Sequence, residues 1–179
     1  MLHLVLGGAR SGKSRYSESI ARSLESAGRR VFYIATADTS QNDLEMAQRI
    51  KQHQQMRPSH WQLIETKTAL SQTLESLNHT DAIVLVDCLT LWLSNCLLHQ
   101  DKELWHREKQ QLLSCLSSFE GQLLMVSNEV GQGLVPMDKL ARVFVDESGW
   151  LHQDLARICD QVTFVTAGIP QQLKPQSNK

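Results

Sequence analysis

The sequence lacks a hydrophobic stretch long enough to cross a membrane as a helix. Such a helix needs about 20 predominantly apolar residues, whereas the longest apolar run near mid-chain is Ala82–Val86. The apolar run Leu4–Leu6 near the amino terminus ends at once at Gly7 and Gly8, which argues against a secretory signal. We therefore expect a cytoplasmic protein.

Paired cysteines and a strong net charge are also missing. No cysteine belongs to a C-x-x-C motif, which argues against a disulfide framework and a zinc site. The formal net charge is −1, so no overall field attracts nucleic acid or an anionic membrane. Hydrophobic residues make up 41% of the 179 residues, enough for a substantial core. We expect one domain over residues 1–179. The four cysteines are Cys88, Cys96, Cys115 and Cys159.

Strand-like and helix-like segments alternate along the chain. The apolar pattern predicts strands at Leu2–Leu6, Val31–Ala35, Ala82–Val86, Gln122–Val126 and Val162–Thr166. Helical spacing predicts helices at Ser14–Ala27, Leu44–Met56, Ala69–Leu77, Leu89–Leu98 and Leu104–Phe119, and over 137–159 with a break near Gly149. This alternation predicts an α/β protein with an open, mostly parallel sheet.

One segment matches the phosphate-binding pattern G-x-x-x-x-G-K-S/T. Its residues are Gly7, Gly8, Ala9, Arg10, Ser11, Gly12, Lys13 and Ser14, and we call this segment the phosphate loop. The glycines let successive backbone N–H groups face phosphates, the Lys13 ammonium can reach β- and γ-phosphate oxygens, and the Ser14 hydroxyl can bind Mg²⁺. The dipole of the following helix adds attraction for an anion. The pattern predicts a site for a nucleoside triphosphate with Mg²⁺.

An acidic residue follows one of the predicted strands. A phosphate loop usually needs a carboxylate at the end of a neighbouring strand to hold the metal. Asp87 comes directly after Ala82–Val86 and is the candidate in that position. Without the phosphate loop, a helix cap would explain it equally well. With the loop, we predict that Asp87 and Ser14 hold the metal.

Charged residues recur every four positions in the predicted helix Leu44–Met56 and just beyond it. Glu45, Arg49, His53 and Arg57 would form one stripe on this helix. Two flanking arginines should lower the pKa of His53, leaving it neutral and nucleophilic, and should attract a polyphosphate. A solvated helix face with ordinary charge pairing gives the same pattern, and the residues alone favour that interpretation.

Polar residues also follow the predicted strand Gln122–Val126. Asn128 and Glu129 would lie at the carboxyl end of this strand, at the edge of an open α/β sheet where ligands bind. They are site candidates, although a polar surface turn explains them equally well.

Taken together, these segments resemble the bifunctional adenosylcobinamide kinase / adenosylcobinamide-phosphate guanylyltransferase family of cobalamin biosynthesis, nearly from end to end. The phosphate loop is common to many unrelated NTPases, so the ordered set of residues after it is more specific. That set consists of Arg49, His53, Arg57, Pro58, Trp61 and Glu65. The resemblance continues through Asp87–Thr90, Asn128–Gly131, Gly133–Pro136 and Ala167–Pro170. Members tend to have Asn where this chain has His152, and Thr where it has Ser127.

The resemblance implies two reactions. The alcohol of the aminopropanol arm of adenosylcobinamide is phosphorylated from ATP or GTP; GMP from GTP then passes through a covalent guanylyl-histidine to that phosphate. The histidine corresponds to His53, and Lys13 would be the second catalytic residue. A RecA-like P-loop fold and a homotrimer are also implied. Nucleotide contacts map to the phosphate loop and to Ala35, Thr36, Ala37, Gln54, Gln55, Met56, Arg57, Glu65 and Asp87.

Two other interpretations are open at the level of sequence. A P-loop kinase of another small alcohol needs no covalent step, but it leaves the stripe with His53 unexplained. A nucleotide-dependent regulatory protein should have a switch motif or a water-positioning glutamine after Asp87, and none is evident there.

Overall fold

The computed structural model describes residues 1–25, 29–38, 58–79 and 81–175, which form a seven-stranded sheet and five helices. The strands are β1 Leu2–Gly7, β2 Arg30–Ala35, β3 Gln62–Glu65, β4 Ala82–Asp87, β5 Gln122–Asn128, β6 Gln161–Thr166 and β7 Ile169–Lys174. The helices are α1 Lys13–Leu24, α2 Leu70–Ser76, α3 Leu89–Leu98, α4 Leu104–Ser117 and α5 Lys139–Ile158.

The sheet is mostly parallel, as predicted. Its strand order is β3-β2-β4-β5-β1-β6-β7, and only the β6–β7 pair among the described strands is antiparallel. β1 lies between β5 and β6, so the phosphate loop leaves the sheet near its middle. The carboxyl ends of six parallel strands share one edge, which is where a ligand of an open α/β sheet binds.

Helices cover both faces of the sheet. Because successive strand residues point to opposite faces, Val84 and Leu85 of β4 are both fully buried but belong to different clusters. Leu85 packs with Ala21 of α1, whereas Val84 belongs to the larger cluster that also contains buried residues of α2, α3, α4 and α5. Within this larger cluster Trp92 and Trp105 meet edge to face at 5.3 Å between ring centroids.

The two strands that the sequence did not predict are the outermost ones. β3 is largely exposed, and β7 contains Pro170 and is exposed along most of its length. An edge strand does not need apolar residues on both of its faces, and it tolerates proline. It therefore lacks the sequence pattern that marks a buried strand. The five predicted strands are the five inner ones, and each is confirmed to within two residues at its ends.

The predicted break in the last helix is wrong. α5 runs unbroken from Lys139 to Ile158, with the Asp138 carboxylate accepting a hydrogen bond from the Ala141 N–H at 2.8 Å as its cap. The predicted helix Leu44–Met56 lies outside the described residues. None of the helices in the described parts is long and apolar enough to span a membrane.

Gly149 allows a test of the continuous helix. A Cβ added at Gly149 would meet no heavy atom within 4 Å. Gly149→Ala should therefore raise the free energy of unfolding by about 0.5–1 kcal/mol, because glycine is costly inside a helix. Gly121 is the control, since a Cβ there would lie 3.0 Å from the carbonyl oxygens of Ala82 and His79. Gly121→Ala should destabilise the protein in the same urea titration, and equal destabilisation by both changes would contradict the geometry of α5.

Candidate active site

The phosphate loop joins the end of β1 to the start of α1. Its backbone passes twice through the left-handed region, with φ of 57° at Arg10 and 95° at Gly12. Gly12 adopts this conformation without strain because it has no Cβ. α1 begins at the next residue, Lys13, so the N–H groups of its first turn open toward the loop. This arrangement is suited to binding an anion.

Two buried side chains of the loop can bind a phosphate. The Lys13 ammonium donates a hydrogen bond to the Gly8 carbonyl oxygen at 3.0 Å. Burial lowers the pKa of Lys13 below its usual value, and the nearby Asp87 carboxylate acts in the opposite direction. The Ser11 hydroxyl is also buried and has no hydrogen-bond partner within the described residues. An anion in the loop would give that hydroxyl an acceptor.

The turn between β6 and β7 supports the loop. The Gly168 N–H donates a hydrogen bond to the Ser11 carbonyl oxygen at 2.8 Å. A Cβ at Gly12 would lie 3.1 Å from the Cα of Gly168, and a Cβ at Gly7 would lie 2.5 Å from the Val165 carbonyl oxygen. The loop therefore packs backbone to backbone against β6 and the turn after it.

Asp87 lies at the end of β4, at the same edge of the sheet as the phosphate loop. From the sequence, we expected the metal carboxylate on a strand neighbouring β1. β4 does not neighbour β1, because β5 lies between the two strands. The Tyr33 hydroxyl donates a hydrogen bond to Asp87 Oδ2 at 3.1 Å. One carboxylate oxygen is thereby oriented by a neighbour on β2.

The predicted nucleotide contacts of β2 and β3 lie at this edge too. Ala35 pairs in register with Glu65 of β3 on one side and with Asp87 on the other. Thr36 is fully buried, and its hydroxyl donates to the Cys88 carbonyl oxygen at 2.7 Å and accepts from the Cys88 N–H at 3.0 Å. Ala37 follows it. The remaining predicted site residues lie outside the described residues: Glu45, Arg49, His53, Gln54, Gln55, Met56 and Arg57.

Two further polar groups lie at this edge: Asn95, which was not singled out from the sequence, and Asn128, which was a predicted site candidate. The Asn95 amide donates to the Thr36 carbonyl at 2.8 Å and to the Lys67 carbonyl at 3.0 Å, joining the segments that follow β2 and β3. An asparagine within the largely apolar stretch of α3 was the signal available in the sequence. Asn128 donates to the Thr90 hydroxyl at 3.2 Å.

A buried histidine lies behind the end of β5. His152 Nε2 is 2.8 Å from the Ser127 hydroxyl, and Nδ1 is 3.6 Å from Glu129 Oε2. Burial lowers the pKa of His152, and the Glu129 carboxylate opposes this shift. The Glu129 N–H donates to the Gly7 carbonyl oxygen at 3.0 Å, so this group is joined directly to the first residue of the phosphate loop.

No cluster of three or more His, Cys, Asp or Glu side chains among the described residues forms a metal cage. Mg²⁺ in a phosphate-loop site does not require one, because substrate phosphates and water supply most of its ligands. The Ser14 hydroxyl and the Asp87 carboxylate are oxygen donors of the kind that this ion prefers. The residues present therefore fit Mg²⁺ that arrives with a nucleotide.

Adjacent glycines of the phosphate loop should differ in their tolerance of a side chain. Gly7→Ala places a Cβ 2.5 Å from both Ser11 Oγ and the Val165 carbonyl oxygen, whereas a Cβ at Gly8 meets nothing within 4 Å. We expect Gly7→Ala to lower the melting temperature of the ligand-free protein, and Gly8→Ala to leave it close to that of the wild type. Equal melting temperatures for the two variants would be incompatible with this loop geometry.

The path of the chain from β1 through the loop into α1 defines a P-loop nucleotide-binding protein. Solved structures share this fold. An ATPase domain has a TM-score of 0.52 at 15% identity, covering 90% of this chain and 68% of that one. A Pyrococcus horikoshii protein also has a TM-score of 0.52, at 11% identity over 99% of this chain and 87% of its own. Likeness at such low identity shows the fold alone.

Sequence comparison identifies the family. Residues 3–173 match the family described as cobinamide kinase / cobinamide phosphate guanyltransferase, so the chain belongs to that family. It is 48% identical over 174 residues to the bifunctional adenosylcobalamin biosynthesis protein CobP of Pseudomonas aeruginosa, covering 97% of this chain and 98% of that protein. The corresponding CobU protein of Escherichia coli is 35% identical over 187 residues, covering 97% and 100%. The family resemblance noted from the sequence is confirmed.

Proposed function

We propose that the protein is a bifunctional enzyme that phosphorylates adenosylcobinamide and then converts the product to adenosylcobinamide-GDP at one P-loop site. Its family is that of cobinamide kinases and cobinamide phosphate guanyltransferases. The site observation that most supports the proposal is the phosphate loop, with its buried Lys13 and a Ser11 hydroxyl that has no hydrogen-bond partner in the described parts of the chain. A kinase of an unrelated alcohol or a purely regulatory protein would leave the family match unexplained.

The kinase step is a phosphoryl transfer to an alcohol. The substrate hydroxyl attacks the γ-phosphorus of ATP or GTP, the new O–P bond forms, the bond to the nucleoside diphosphate breaks, and the hydroxyl proton is released. Such a reaction needs positioning and charge stabilisation more than covalent participation by the protein. Lys13 and the N–H groups at the start of α1 supply these where charge develops on the phosphate oxygens. Nucleotide contacts also come from Ala35–Ala37, Glu65 and Asp87.

Mg²⁺ completes the nucleotide site in this proposal. Ser14 and Asp87 are the residues that would hold it, directly or through its water molecules. When bound, Mg²⁺ neutralises negative charge on the phosphate oxygens. Both residues belong to described elements at one edge of the sheet, and the Tyr33 hydroxyl already orients Asp87.

The second reaction is proposed to use His53 as a nucleophile. An imidazole nitrogen attacks the α-phosphorus of GTP, an N–P bond forms, and pyrophosphate leaves. An oxygen of the cobinamide phosphate then attacks the same phosphorus, the N–P bond breaks, and the free histidine returns. Asp38, the last described residue before the segment that contains His53, follows β2 at the phosphate-loop edge and forms an ion pair with Lys67 at 2.5 Å. Gln54–Arg57 are proposed to contact the nucleotide.

We also propose that the enzyme is a cytoplasmic homotrimer, as the family resemblance implies. Several exposed apolar side chains lie in the segment before α5 and on α5 itself, including Leu134, Met137 and Trp150. Such side chains are typical of surfaces that become covered in an assembly. Sedimentation equilibrium should give three times the 20.3 kDa chain mass, and a stable monomer at micromolar concentration would contradict the trimer.

The metal role of Asp87 can be tested by titration. Asp87→Asn replaces an anionic partner of the metal with a neutral amide, so the Mg²⁺ concentration for half-maximal kinase activity should rise about 10- to 100-fold. Asp81→Asn is the control, because Asp81 precedes the opposite end of the same strand. It should leave the midpoint unchanged. An unchanged midpoint in Asp87→Asn would assign the metal carboxylate to another residue.

The covalent step provides the sharpest test of the proposed function. Wild-type protein incubated with α-labelled GTP and Mg²⁺ should retain label after denaturation, and the adduct should be stable to alkali but labile to acid. His53→Ala should abolish this labelling and guanylyl transfer but keep much of the kinase activity, because direct transfer to an alcohol needs no protein nucleophile.

A matched histidine variant provides the control for that experiment. His106 is exposed on α4, and His106→Ala should retain both activities and the label. Persistence of the acid-labile adduct in His53→Ala would identify a different nucleophile. Loss of both activities in a folded His53→Ala protein would instead make His53 a shared binding residue.

A further inference from the structure

An open groove of about 480 Å³ runs along α5 beside the phosphate loop. Leu6 of β1, Ala156 of α5 and Leu173 of β7 contribute apolar lining, while Glu129 and His152 contribute polar groups. We call this the α5 groove. Its mixture of apolar lining with a few polar groups suits one edge of a ligand that stays partly exposed.

The α5 groove adjoins the phosphate loop through two residues. Leu6 directly precedes Gly7, the first residue of the loop. Glu129, the second residue, follows β5 and donates its N–H to the Gly7 carbonyl oxygen at 3.0 Å. A molecule in the groove would therefore have one end beside the bound phosphates.

The charges of the groove disfavour an anionic ligand. Among the described lining residues the cation is Lys174, whose ammonium donates to the carbonyl oxygens of Ala156 at 3.0 Å, Arg157 at 3.2 Å and Cys159 at 2.6 Å. These three bonds use all of its N–H donors. Glu129 contributes a carboxylate, and burial lowers the pKa of His152, which disfavours a positive charge on that ring. The groove thus suits an uncharged or cationic ligand with N–H donors.

Gly149 lies in the middle of α5 and also lines the groove. A glycine inside a helix is unfavourable unless packing requires it. Here packing does not, since a Cβ at Gly149 would meet no heavy atom within 4 Å. The missing side chain leaves space in the groove instead of making room for a neighbouring element.

We propose that the α5 groove binds the phosphoryl acceptor, holding part of the periphery of the cobinamide ring with the alcohol arm at the Gly7 end. This inference rests on the proposed function. The corrin periphery bears methyl groups and neutral primary amides, so its apolar parts match Leu173 and Ala156. An amide N–H₂ matches the Glu129 carboxylate. The groove is too small for the whole macrocycle and holds one edge of it.

Filling the groove tests the proposal. Gly149→Leu should weaken equilibrium binding of cobinamide at least about tenfold, because the added side chain occupies the space of the ligand. Binding of a fluorescent GTP analogue, and self-labelling by α-labelled GTP without cobinamide, should stay within about twofold of the wild type. Gln110→Leu, which adds the same side chain to an exposed position of α4, is the control and should not change cobinamide binding.

A second variant covers the case in which Gly149→Leu does not fold. Leu173 is 55% exposed, so Leu173→Ala should fold and should weaken cobinamide binding roughly tenfold through lost apolar contact. Leu98→Ala, at a leucine 57% exposed on α3, is its control and should bind as the wild type does. Unchanged cobinamide binding in folded groove variants would overturn the proposal. Equal weakening of GTP-analogue binding would also overturn it, by assigning the groove to the nucleotide.

The same measurements separate this inference from the proposed function. Wild-type protein that binds GTP but neither binds nor phosphorylates cobinamide would overturn the function itself. Wild-type activity together with unaffected groove variants would overturn the groove assignment alone.

Discussion

The close packing of backbone on backbone beneath the phosphate loop is the constraint on which the site depends. Gly12 and Gly168 both have positive φ, and a Cβ at Gly12 would lie 3.1 Å from the Cα of Gly168. The 2.8 Å hydrogen bond from Gly168 N–H to the Ser11 carbonyl oxygen joins the same two segments. The loop N–H groups are therefore oriented before any anion binds. This explains why the turn that leads into the exposed edge strand β7 matters to the site.

The position of β5 adds a second constraint. Because β5 separates β1 from β4, its carboxyl end fills the space between the phosphate loop and Asp87. Glu129 is held there by the Gly7 carbonyl and Asn128 by Thr90. The separation of the phosphate loop from Asp87 is thus determined by one strand width on each side of β5, and a rigid sheet maintains it better than a loop would.

The sequence predicted features whose chemistry requires contiguous residues or burial on both sides. The phosphate loop is contiguous, and the five inner strands are apolar on both faces, so both were evident. β3 and β7 were not predicted because an edge strand needs neither property.

The contacts of Asn95 with Thr36 and of His152 with Ser127 join residues 59 and 25 positions apart, and no local sequence pattern indicates such contacts. The helix break expected at Gly149 failed because tertiary packing overrides a single unfavourable residue. The role of His53 remains a prediction.

Two reactions can share one nucleotide site if their acceptors approach it separately. On the proposed assignment, transfer occurs at the γ-phosphorus in one step and at the α-phosphorus in the other, while the phosphate loop holds the groups between them. In the chain the segment with His53 follows β2, whereas the α5 groove lies along β1, β6 and β7. In the strand order these elements lie on opposite sides of β4 and β5. On the proposed assignment, the alcohol arm lies at the Gly7 end of the α5 groove, so the product of the first step can stay near the loop while the second nucleotide reacts.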